Sequence, residues 1–203
     1  MADKSMILSA EAEAALLKPI DEYVGKIQKQ IDALRVDGSD KVRSLKNHIA
    51  IAKEDKNLTK EERAKIIAKD KADLEKAKSV ESANKDKVSK LISDAESYLS
   101  KHYKSDYYEK VVASCEAEKA AENASYDKIV ATIKTEHEQA LAKLSDSEEI
   151  KDEKYVYRNR LFDAQMTHES KLQEIKDRKH DAFAHKFHLI DLLRMSKYTF
   201  GQK

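Results

Sequence analysis

The 203-residue chain has three glycines, one proline and no tryptophan. Compact α/β enzymes need many tight turns, and glycine and proline supply most of them. That scarcity argues against a folded sheet enzyme, and runs of alternating polar and apolar residues are missing too. A single cysteine, Cys115, cannot close an internal disulfide, so nothing marks an oxidising compartment. No apolar run approaches the roughly 18 residues of a membrane-spanning helix. The opening residues Met1 to Ser9 carry no basic stretch followed by an apolar one, so no secretory leader is expected. The expected setting is intracellular, in the cytoplasm or within an assembly built there.

Charge of one sign is also lacking. Thirty-nine Lys and Arg residues face 38 Asp and Glu, a net charge of +1. Nucleic-acid modules usually carry a basic excess, and balanced charge spread along helices reads as solvated faces. Only the end of the chain is locally basic. From Lys171 onward, eight Lys and Arg residues face four Asp and Glu.

What the chain does have is helical periodicity. From Tyr108 to Leu144 a largely apolar seam steps by fours and threes through Val112, Cys115, Lys119, Glu122, Tyr126, Ile129, Ile133, His137 and Ala140. That step lays one stripe along one side of a long helix. A second stripe runs through Ile20, Val24, Ile27, Ile31 and Leu34, and resumes past Gly38 at Val42, Leu45, Ile49 and Ala52. Gly38 is expected to break or kink that helix. A third passes through Ile67, Asp70, Leu74, Ala77, Glu81, Asn84, Val88, Leu91, Ala95, Tyr98 and His102, with a polar middle where packing should be weak or wet. A fourth, from about Glu148 to Ser196, contains Tyr157, Leu161, Ala164, His168, Leu172, Ile175, Phe183, Phe187 and Ile190.

Punctuation falls between these stripes. Thr59 with Glu62, and Ser145 with Glu148, have the spacing of capping boxes. Their similar placement hints at a helix–cap–helix unit present twice. Short connections force antiparallel neighbours. The expected fold is all-α: elongated antiparallel helical hairpins, coiled-coil-like or a four-helix bundle. The expected divisions are an N-terminal segment 1–18 with a short helix, a first hairpin 19–100, a joint 101–107, a second hairpin 108–196 and a tail 197–203.

Chemistry is sparse. Asp177, His180, His185 and His188 form the only cluster suggesting a metal, but His180 and His185 point apart on a helix and no Glu-x-x-His step occurs. Cys115 has no histidine close in sequence, and Glu118 opposes any help from Lys119 toward a thiolate. There is no glycine-rich phosphate loop and no serine elbow. No catalytic, cofactor-binding or metal-ligating residue is assigned, no small-molecule substrate is expected, and an enzyme is not.

Interaction residues are the remaining candidates. Tyr107 and Tyr108 lie at the joint, and tyrosine is favoured at interfaces. In the last helix, Phe183 and Phe187 continue the inner stripe, while Leu189, Leu192 and Met195 cover the other side; Tyr198 and Phe200 follow. A helix apolar on two sides needs two neighbours. The second must be a folded-back tail, another subunit or a different protein. These nine residues are the expected partner contacts. The expected function is structural or scaffolding: packing against itself or other proteins within a virion, filament or machine. The alternative is an adaptor that meets an anionic membrane surface or nucleic acid through basic helix faces.

Overall fold

The computed structural model describes residues 7–198, with side chains as far as residue 196. It is an all-α protein of antiparallel helical hairpins, 93% helical. Helix α1 (Ala10–Arg35) continues through a five-residue stretch of wider π turns (Val36–Asp40) into α2 (Lys41–Glu54). After a short turn, α3 (Lys60–Tyr98) passes through a second π stretch (Leu99–Tyr108) into α4 (Glu109–Leu141). Helix α5 (Ser147–Tyr198) completes the chain. The joint expected at 101–107 is therefore helical, and α3 to α4 is one uninterrupted run of 82 residues.

The helix runs through Gly38 without a break. Gly38 lies buried in the first π stretch, and a Cβ there would stand 3.1 Å from the Cα of Glu81 on α3. Glycine is needed at this point because two backbones approach closely. Pro19 is accommodated inside α1.

The capping box at Thr59 forms as the spacing predicts. Thr59 Oγ1 accepts from the Glu62 backbone N–H at 3.2 Å, and the Thr59 N–H donates to Glu62 Oε2 at 3.0 Å. The second turn differs by one residue. Asp146, not Ser145, caps α5, its Oδ1 accepting from the backbone N–H of Glu148 at 2.7 Å. A carboxylate there also favours the positive end of the helix dipole.

The chain gathers into two compact units. One holds residues 17–104 and 186–198. Its core contains Ile20, Val24, Ile27 and Ile31 of α1, Val42, Ile49 and Ala52 of α2, and Val88, Ile92 and Ala95 of α3. Leu189 and Leu193 of α5 are buried as well, and Arg194 Nε donates to Glu96 Oε1 at 2.7 Å. The polar middle of α3 is fitted with specific partners. Asp70 meets His48 Nδ1 at 2.6 Å, and Asn84 Nδ2 donates to the Leu34 carbonyl at 3.0 Å. Tyr23 stacks on Tyr98, and Tyr98 on His102.

The other unit holds residues 7–16 and 105–185. Its main layer is the α4–α5 hairpin. Val111, Ser114, Cys115 and Ile133 of α4 are buried, with Ile175 and Ala182 of α5. The start of the described chain adds a third strand of packing: the Leu8 N–H donates to Ser114 Oγ at 2.8 Å. Ile129 does not join the seam. It is exposed, and Val130 takes the half-buried place one residue on. Two histidines sit in this seam. His168 stacks on Tyr126 with ring centroids 4.3 Å apart, and its Nδ1 lies 3.3 Å from Glu122 Oε1. His137 is held in the same way by Glu153 and Tyr157.

Candidate protein-contact surface

The hairpin of α4 and α5 fixes which side of α5 faces inward. Tyr157, Leu161, Ala164, His168, Leu172 and Ile175 are all buried or half-buried. At about 100° per residue they define one face. Tyr155, Phe162 and Met166 fall within about 40° of one another on the opposite face. They are 66%, 61% and 49% exposed. Large apolar groups left in water on one line of one helix are the informative exception to ordinary burial.

Charge is sorted on either side of this line. One flank carries Asp152, Asp163, Glu174 and Asp177; the other carries Lys151, Lys154, Arg158 and Lys176. Glu169 is the single acid on the basic flank, one turn beyond Met166. All nine side chains are exposed.

The expected contact residues are scattered. Tyr107 is buried within the chain, and Tyr108 is half-buried, tilted against Phe183 at a centroid distance of 6.0 Å. Leu189 is buried and Leu192 half-buried, so the face read as outer turns inward. Phe183 and Phe187, read as inner, are about half exposed, and Met195 is exposed. Residues 186–198 group with 17–104, which covers Leu189 and Leu193 from within the chain. The Tyr198 side chain and Phe200 lie outside what the structure describes.

The basic end of the chain is partly neutralised. Arg178 pairs with Glu118 and has its Nε 3.3 Å from Glu13 Oε1. That last approach is an ion pair without hydrogen-bond alignment, since neither atom has a directional partner. Partial burial opposes the guanidinium charge, but the Cys115 sulfur and Glu118 outweigh it and raise the pKa. Lys179 Nζ donates to Glu116 Oε1 at 2.8 Å, and this bond holds the ammonium above its usual value. Cys115 itself is buried under Arg178. An open groove of about 570 Å³ beside it is lined by Glu118, Glu122, Lys171 and Arg178. Both cations of the groove are already paired, Lys171 with Glu122 and Arg178 with Glu118. Among the described residues no three His, Cys, Asp or Glu side chains are placed to hold a metal ion.

Among the described residues, no helix is long and apolar enough to cross a membrane. A family model described as "ABC transporter permease MglC, N-terminal domain" matches residues 10–203. The chain belongs to that family. The match begins at the first residue of α1 and takes in every helix. No curated protein and no solved structure matches the chain.

Proposed function

We propose that this chain is a non-catalytic helical module that packs against protein within a larger assembly, and that the assembly is a transport complex of the kind the family description names. The observation that carries the reading is the line Tyr155, Phe162, Met166. Three large apolar groups stand in water on the face of α5 turned away from its own hairpin. Fully burying a side chain of this size stabilises by about 1.5–3 kcal/mol. A protein surface laid over this line would gain several such increments before the cost of association.

The adaptor alternative has less support. Arg178 and Lys179, two of the cations that would meet a polyanion, are committed to Glu13, Glu118 and Glu116. Three further exposed cations of α5, Arg160, Lys171 and Arg194, are paired with Glu136, Glu122 and Glu96.

The test is native purification of the full-length protein in mild detergent, with and without Phe162→Asp. The wild-type protein should travel with membrane-transport subunits and the variant should separate from them while keeping its helical circular dichroism. A wild-type protein that fractionates alone would overturn the reading.

A further inference from the structure

The surface just described has a polarity that selects its occupant. We infer that the outer face of α5 pairs with the same face of a second copy of this chain, with the two helices parallel. The inference rests on the reading of α5 as a protein-contact surface and adds the partner.

When two identical helices meet face to face and run antiparallel, each flank meets its own kind, so acids face acids and bases face bases. When they run parallel, the two-fold axis lies along the helices and each flank meets the opposite one. On α5 the acidic and basic flanks are separated by the apolar line. A parallel pair therefore matches charge on both sides, and an antiparallel pair repels on both. In heptad terms the parallel register sets Arg158 against the partner's Asp163, twice per dimer.

The centre of the contact is consistent with this arrangement. Tyr155, Phe162 and Met166 each meet their own counterparts along the axis. Asn159, exposed between Tyr155 and Phe162, meets itself as well; a single polar amide at such a position fixes register at a cost in stability. Glu169 would also meet itself, and two opposed carboxylates end the contact there. The interface is thus about four turns long, which makes a reversible dimer rather than an obligate one.

Sedimentation equilibrium of the full chain over a wide concentration range tests this. The wild-type chain should show a monomer–dimer equilibrium, and Phe162→Asp should be monomeric throughout with unchanged helicity. Arg158→Glu and Asp163→Lys should each weaken dimerisation about tenfold, by turning two attractions into repulsions. Mixing the two single variants in equal amounts should restore it, because each chain then supplies the charge the other lacks. A monomeric wild type, a dimer indifferent to Phe162→Asp, or a mixture no tighter than the single variants would overturn the inference. If the wild type is monomeric yet Phe162→Asp still detaches it from the native complex, self-pairing fails and the contact reading stands. If Phe162→Asp changes neither, both fail.

Discussion

His137 lies flat against Tyr157, with ring centroids 4.0 Å apart and planes 13° from parallel. Glu153, one turn before Tyr157 on the same helix, meets the His137 Nδ1 at 3.0 Å. The same device recurs with the helices exchanged: Glu122 and Tyr126 of α4 hold His168 of α5. In each case a Glu and a Tyr four residues apart clasp a histidine from the opposite helix. A thin seam with few large aliphatics gains both stacking and a hydrogen bond this way. A double-mutant cycle with His137→Ala and Tyr157→Ala should return a coupling of about 0.5–1.5 kcal/mol in urea unfolding. Additive single effects would show that the rings merely lie near each other.

The two helical glycines facing different surroundings should respond oppositely. A Cβ at Gly25 meets nothing within 4 Å, whereas one at Gly38 meets the α3 backbone. Gly25→Ala should stabilise by about 0.5–1 kcal/mol through helix propensity. Gly38→Leu should destabilise by about 1–3 kcal/mol, because the α3 backbone must give way. Thermal unfolding of both variants checks the pair.

Asn84 is 4% exposed and donates to the Leu34 carbonyl, in the last turn before the first π stretch. Removing the amide leaves a buried acceptor without its donor. Asn84→Ala should therefore cost about 1–3 kcal/mol in chemical denaturation. A loss below about 0.5 kcal/mol would mean that water replaces the amide.

The end of α5 offers a contrast between neighbouring apolar residues. Leu193 is fully buried and Phe187 is 51% exposed. Leu193→Ala should cost about 2–4 kcal/mol, and Phe187→Ala clearly less despite its larger side chain. Equal losses would contradict the inward orientation of Leu189 and Leu193.

The Thr59 cap carries a pH signature. The Thr59 hydroxyl, and secondly its backbone N–H, hold the Glu62 carboxyl below its ordinary value. A folded-state pKa lowered in this way contributes stability that is present above the unfolded value and lost as pH falls through the lowered one. Acidification from the ordinary glutamate range downward should loosen the start of α3. Thr59→Ala should lower the midpoint by about 2–4 °C at neutral pH and flatten that acid-side slope.

Much of the fold was legible from spacing. Ile20, Val24, Ile27 and Ile31 are the buried face of α1, and Val42, Ile49 and Ala52 that of α2, as the stripes require. Spacing alone is insufficient where a third neighbour enters from far along the chain. Beyond Val88 the inner line follows Ile92, Ala95, Leu99 and Tyr103 rather than Leu91, Tyr98 and His102. Both lines have helical spacing, and the residues of α5 that group with this unit, with Arg194 bonded to Glu96, are too far along the chain for the spacing to register. Ser114 is buried for the same kind of reason, its hydroxyl taken by the Leu8 N–H from the start of the described residues. The second π stretch contains no glycine or proline to mark it, so the segment 101–107 has the look of a joint in the sequence. The line Tyr155, Phe162, Met166 is too sparse to stand out as a stripe in the sequence. Its signal was present: the three residues lie half a turn from Leu161 and Ala164, on the side no hairpin partner could reach.

The three long helices each thread from one compact unit into the other, at residues 16–17, 104–105 and 185–186. Among the described residues no coil separates the units at which a protease could cut cleanly. A gene truncated at any of these points would leave a severed helix end in the product and strip a unit of one of its helical segments. The two units are therefore expected to melt in a single transition, and attempts to express either half alone should yield aggregated or unstructured polypeptide.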